Sequence, residues 1–128
     1  KVGARDGHSS LSAAALLTLG GEAERLGLRF ESVYCSLLAG EAELRLKHYT
    51  GAREQLESTL AQSDRLGARS LLAQTHNLLS IVYAAEGNQP DARRHSESAR
   101  QILDAIKKDA RSEVLQRSDF KVIVEHAN

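Results

Sequence analysis

The stretch "RLGLR" (25–29) returns as "RLGAR" (65–69), and the forty residues from one to the other decide how this chain is read. Slid against itself by forty, the sequence lays Arg25, Leu26, Gly27 and Arg29 on Arg65, Leu66, Gly67 and Arg69. Further on, Ala52 falls on Ala92, Arg53 on Arg93, Glu57 on Glu97 and Ser58 on Ser98. Self-similarity at a fixed period of roughly 20–50 residues is the mark of stacked structural units. A third copy would lay "LDAIKKD" (103–109) on "SDRLGAR", and there the glycine has become Lys107.

Between the echoes the apolar residues keep helical spacing. Phe30, Val33, Tyr34, Leu37, Leu38, Ala42, Leu44 and Leu46 form one run; Leu71, Leu72, Thr75, Leu78, Leu79, Val82 and Tyr83 form another. More polar one-sided helices follow each, with Ala52, Leu56, Leu60 and Leu66, then Ala92, Ala99, Ile102, Leu103 and Ile106. Gly27, Gly67 and Gly87 are placed to end helices in a left-handed conformation, with Leu26 and Leu66 packing inward beside the first two. Thr50 is a candidate N-cap, and Pro90 fits a first helical turn, where its missing N–H has no partner to lose. The spacing predicts helices over 9–26, 29–47, 51–66, 69–86 and 90–109, joined by turns short enough to fold each helix back on the last. Residues 1–8 are expected to be flexible. The tail 110–128 is expected to form a C-terminal cap, with Ser118 starting a short helix that lays Phe120, Ile123 and Val124 on the last hairpin; the β-branched run 122–124 leaves a strand as the alternative.

Seventeen basic residues balance seventeen acidic ones, so the chain lacks the positive field that nucleic acid or an anionic membrane surface needs. Neither is expected as a partner. A single cysteine, Cys35, excludes an internal disulfide, and its apolar setting suits packing in a reducing, cytoplasmic compartment. No apolar run approaches the roughly 20 residues that span a bilayer, and the opening "KVGARDGHSS" carries no signal-peptide core. The absence of an initiator Met suggests a piece of a longer protein.

The segment 73–104 carries a family resemblance. His76, Leu79, Ser80 and Tyr83 stand in the places of Trp, Leu, Gly and Tyr in the first helix of a tetratricopeptide (TPR) repeat, and Ala92 and Ala99 match the two alanines of its second helix. Ser96 and Asp104 depart from its Phe and Pro. In the preceding unit Ser36, Ala39, Gly40 and Glu43 occupy the first-helix places and Ala52, Leu56 and Thr59 the second, keeping the Gly and the first Ala. The forty-residue period resembles the longer TPR variants of bacterial multidomain regulatory and signalling proteins. The resemblance implies an all-α, right-handed superhelix of stacked antiparallel hairpins with a capping helix. In it, 9–26 is the second helix of one unit, and 29–66 and 69–109 are the next two.

Convergent chemistry is missing from the sequence. His8, His48, His76, His95 and His126 show no zinc-binding spacing, "LGG" (19–21) lacks the Lys-Ser/Thr of a phosphate loop, and no nucleophile motif surrounds Cys35 or any serine. No catalytic residue, metal or cofactor is therefore expected. His76 is read as a packed residue, and His95, between Arg94 and Ser96, as an exposed one. Glu22, Glu24, Arg25, Glu54, Glu57, Arg93, Arg94 and Glu97 are read as solvated outer faces. By the resemblance, Tyr34, Leu37, Glu41 and Arg45 of one unit and Gln74, Asn77 and Ile81 of the next line a concave groove that binds a protein or peptide. The exposed N-terminal edge is open to self-association. The competing readings are a histidine phosphotransfer bundle, which needs an exposed His95 or His76, and a ligand-sensing domain of a transcription regulator, which needs a closed pocket.

Overall fold

Four turns set the architecture. In the computed structural model, which describes residues 12–127 and the side chains through residue 116, Gly27, Lys47, Gly67 and Gly87 all have positive φ, at 80°, 61°, 72° and 83°. They are spaced twenty residues apart. Each is followed by an amide that reaches back across the turn: Leu28 to the Ala23 carbonyl at 2.8 Å, His48 to Glu43 at 2.9 Å, Ala68 to Ser63 at 3.1 Å and Asn88 to Tyr83 at 2.8 Å. A left-handed residue with this long backward bond takes up carbonyls that a helix end otherwise leaves unpaired. One stop, used four times, cuts the forty-residue period into halves of one helix each.

The described residues thus form five helices and no strand: α1 (Ala13–Arg25), α2 (Arg29–Arg45), α3 (Tyr49–Leu66), α4 (Arg69–Ala85) and α5 (Gln89–Ala127). With connections this short, consecutive helices run antiparallel and pack as hairpins. Each helix packs on its neighbours in the chain, and the backbone of α2 also approaches that of α4; among the described residues the backbones of α1, α3 and α5 do not approach one another in this way. Burial follows these contacts. The outer helices hide one narrow stripe each, Leu16, Gly20 and Ala23 in α1 and Ala52, Leu56, Thr59 and Ser63 in α3. By contrast α2 and α4, each meeting three helices, bury residues on more than one face, including Val33, Ser36, Leu37, Ala39 and Gly40 in α2.

The core is continuous from hairpin to hairpin. Val33, Leu37, Ala52, Leu56, Leu71, Leu79 and Val82 form one buried cluster, and Leu16, Ala39 and Ala42 a second between α1 and α2. Small residues allow the close approach: a Cβ added to Gly40 would come within 2.6 Å of Leu56 Cδ2, and one at Gly20 within 3.3 Å of Cys35 Cβ. Several positions matched by the forty-residue shift share their environment. Ala39 and Leu79 are both fully buried, as are Ala52 and Ala92, and Thr59 and Ala99, at 8% exposure or less.

Several details differ from the sequence expectation. Lys47 lies in the turn and not in α2, because a left-handed stop falls there on a residue with no glycine to announce it. Thr50 does not cap α3, which starts one residue earlier at Tyr49; its N-cap, His48, makes no side-chain capping bond. Asn88 caps α5 instead, accepting from the Asp91 amide at 3.2 Å while its Nδ2 donates to the Asp91 carboxylate at 2.8 Å. Leu26 is 73% exposed and does not pack inward, whereas Leu66 does pack against the core. Beyond residue 109, α5 continues without a break through Ala127, so the backbone over 118–127 is helical and no separate cap helix begins at Ser118. No proline or left-handed residue occurs there to stop it. Residues 110–116 are exposed, and the side chains of Ser118, Phe120, Ile123 and Val124 lie outside the described ones, as do residues 1–8.

Candidate functional site

A polar cluster joins α3, α4 and α5. His95 of α5, only 2% exposed, stacks against Tyr83 of α4 with ring centroids 5.4 Å apart and planes 3° from parallel. Its Nδ1 meets His76 Nδ1, also of α4, at 2.9 Å. The Tyr83 hydroxyl donates to Glu57 Oε2 of α3 at 2.7 Å, and the same Oε2 lies 4.0 Å from His95 Nε2. His95 Nε2 is buried without a hydrogen-bond partner. A hydrogen on Nε2, facing the Glu57 carboxylate, is the favourable tautomer, so His95 Nδ1 accepts and His76 Nδ1 donates.

Electrostatics agree with neutral imidazoles. Burial lowers the His95 pKa below 6.5, helped by the Arg94 guanidinium and opposed by the Glu57 and Asp91 carboxylates. Burial also lowers that of His76, with His95 and Arg94 adding to the effect and Glu57 opposing it. Tyr83 is pushed up to about 12, chiefly by burial and then by its hydrogen bond to the Glu57 carboxylate. The centroids of the two imidazoles are 5.1 Å apart, the separation of rings that meet tip to tip. The two Nδ1 atoms face each other, one as donor and one as acceptor, and not a common metal, and among the described residues no group of three or more His, Cys, Asp or Glu is arranged to hold one.

The preceding hairpin holds a counterpart. Gln55 Nε2 donates to Ser36 Oγ at 2.6 Å, and Ser36 Oγ lies 2.7 Å from Thr59 Oγ1. Ser36 and Gln55 stand forty residues before His76 and His95. Both hairpins are thus fastened by a polar pair at the same two places, neutral and hydroxylic in one and titratable in the other. The sequence reading matched position 36 with 76 but not 55 with 95, and so took His95 for a surface residue. That expectation is corrected by its burial. The echo itself carried the signal, since 95 falls forty residues after a helix position facing α2.

No protein-family model matches this sequence, and no curated protein matches it. Function has to be sought in the geometry alone.

The residues expected to line a groove are not all surface residues. Leu37 is 2% exposed and belongs to the core, because α4 packs on that side of α2; it is removed from the set. Its forty-residue counterpart, Asn77, is exposed. Tyr34 and Ile81 are exposed apolar side chains, at 42% and 46%. Arg45 is exposed and pairs with Glu41 at 3.5 Å, and Gln74 is exposed on α4. Six of the seven are thus accessible on two helices in contact with each other. Between α1, α2 and α3 an open cleft of about 960 Å³ is lined by Glu24, Arg29, Ser32, Gln62 and Arg65 among others, which includes residues of both echoed stretches. No helix among the described residues is long and apolar enough to cross a membrane.

Proposed function

We propose that this chain is a TPR-type, right-handed superhelical stack that binds a protein or peptide on the face shared by α2 and α4, as a non-catalytic module of a larger cytoplasmic regulatory protein. One observation carries the reading: the backbones of α2 and α4 approach each other while those of α1, α3 and α5 do not. Helices that approach on one side and separate on the other describe a curve with α2 and α4 inside it. On that inner face Tyr34 and Ile81 offer apolar contact, Gln74 and Asn77 can each donate to and accept from a peptide backbone, and Arg45 can pair with a carboxylate. Stacked hairpins suit this work because burying their apolar faces on each other leaves such a surface free.

Two alternatives have less support. Phosphotransfer needs an accessible imidazole, and His95 is buried while His76 Nδ1 is engaged. Ligand sensing needs an enclosed pocket, and the cleft lined by Glu24, Arg29 and Arg65 is open to solvent.

The test is site-specific photo-crosslinking in cells, with the crosslinker at Tyr34 or Ile81 and, as outer-face controls, at Ser58 or Arg93. A partner captured from the first two positions only, and lost with Arg45→Ala/Gln74→Ala/Asn77→Ala, supports the reading. Capture from the outer positions instead, or capture unchanged by the triple substitution, contradicts it.

A further inference from the structure

We propose that His76 and His95 form a proton-operated latch that fastens α5 to α4, tolerating one proton and opening on the second. The geometry imposes this order. In the neutral pair His76 Nδ1–H donates to His95 Nδ1 across 2.9 Å. A first proton enters at His76 Nε2, on a half-buried ring, and leaves the donated hydrogen in place. The pair then holds as a charge-assisted bond. A second proton has only His95 Nδ1 to occupy, and that atom is the acceptor. Once it carries hydrogen, two donors face each other and the contact cannot persist.

Other groups around His95 do not relieve this. From α5 itself Asp91 and Arg94 act on it with opposite signs, from α3 the Glu57 carboxylate attracts a charged ring, and from α4 come His76 and the stacked Tyr83. Glu57 is engaged by the Tyr83 hydroxyl, and its Oε2 stays 4.0 Å from His95 Nε2, beyond hydrogen-bond reach. Burial outweighs it, and the ring is held neutral. His95, once the pair takes its second proton, must therefore leave its site, carrying the N-terminal part of α5 with it. The exposed Arg69–Asp109 pair at 2.8 Å also joins α4 to α5, fourteen residues further along α5. The equivalent contact of the preceding hairpin has no such response, since Ser36, Gln55 and Thr59 do not titrate in this range.

That hairpin also supplies the control. The substitutions His76→Ser and His95→Gln install the non-titrating pair of positions 36 and 55 at the equivalent places. Amide hydrogen exchange of the full 128-residue chain, corrected for the intrinsic effect of pH on exchange, is compared at pH 7.5 and 5.0. In the wild type, protection of α5 amides around residues 91–100 is expected to fall at least tenfold more than that of α2 and α3 amides. In the double variant the two regions should change together. Equal changes in both regions of the wild type, or the same selective loss in the variant, would overturn the latch. Should the variant not fold, an NMR titration of the wild-type imidazoles decides: two separate steps, with His95 titrating last and well below 6.5, are expected, and ordinary independent titration of both rings overturns it.

Discussion

Lys47 takes the same left-handed backbone conformation as Gly67, at φ 61° and 72°, although only one of them lacks a Cβ. The position is fixed by the fold: His48 must send its amide back to Glu43, as Ala68 does to Ser63. A residue with a side chain is strained there by roughly 1–2 kcal/mol. Lys47→Gly should therefore stabilise the chain, by about 0.5–1 kcal/mol after the entropy of the freer unfolded glycine is deducted. Gly67→Ala should do the reverse by about 1 kcal/mol. Urea denaturation midpoints at constant slope measure both.

Gly40 is required by Leu56. An added Cβ would lie 2.6 Å from Leu56 Cδ2 and 2.7 Å from its Cγ, and Leu56 is fully buried with nowhere to turn. Overpacking of this kind costs about 1–3 kcal/mol, so Gly40→Ala should lower the thermal midpoint clearly. Forty residues on, Ser80 is partly exposed and already carries a Cβ, and Ser80→Ala should shift stability by less than about 0.5 kcal/mol. Equal effects at the two positions would refute the close helix approach inferred here.

Stability should decline as pH falls from 7 toward 5. Both imidazoles have pKa values lowered in the folded chain, mainly by burial. The unfolded chain then takes up protons near pH 6.5 that the folded one refuses. The stabilisation is complete above that value and is lost progressively below it. If the Glu57 carboxylate governed His95 instead, the folded pKa would be raised and stability would increase over the same interval. Thermal melts at half-unit pH steps distinguish the two by sign.

Tyr83→Phe should weaken the tie between α3 and α4 without disturbing the stacked ring. The lost bond to Glu57 is worth about 0.5–1.5 kcal/mol, toward the upper end because the acceptor is charged. A measured loss of 3 kcal/mol or more would mean that the ring itself had moved, which the near-UV circular dichroism of the variant would register.

Much of the fold was legible because helix-period apolar residues and glycine stops agreed with one another along the chain. Gly27, Gly67 and Gly87 announced three of the four turns. The fourth was placed between 47 and 51, but Lys47 was counted in the helix, since a left-handed lysine has no signature, and the twenty-residue spacing of the stops stayed hidden. The far end of α5 was hidden for the opposite reason: a change in apolar pattern near residue 110 was read as a break, yet nothing in "RSEVLQRSDF" stops a helix. In the candidate site, Tyr34, Ile81 and their polar neighbours were placed from the repeat register. Leu37 was misplaced because the same register position is covered by the next hairpin in one unit and open in the other, a difference of neighbours that helix spacing does not encode. The burial of His95 escaped for a related reason: flanked by Arg94 and Ser96, it is polar in sequence and interior only through its partners His76 and Tyr83.

The proposed binding face requires a curved stack, with α2 and α4 inside and α1 and α3 outside. Pulsed electron-electron spin-resonance distances test this directly, with spin labels placed in a Cys35→Ala background at two pairs of positions forty residues apart: Tyr34 with Gln74 on the inner helices, and Thr18 with Ser58 on the outer ones. The outer pair should be clearly farther apart than the inner pair. Equal distances, or an outer pair closer than the inner one, would contradict the curvature and with it the proposed binding face.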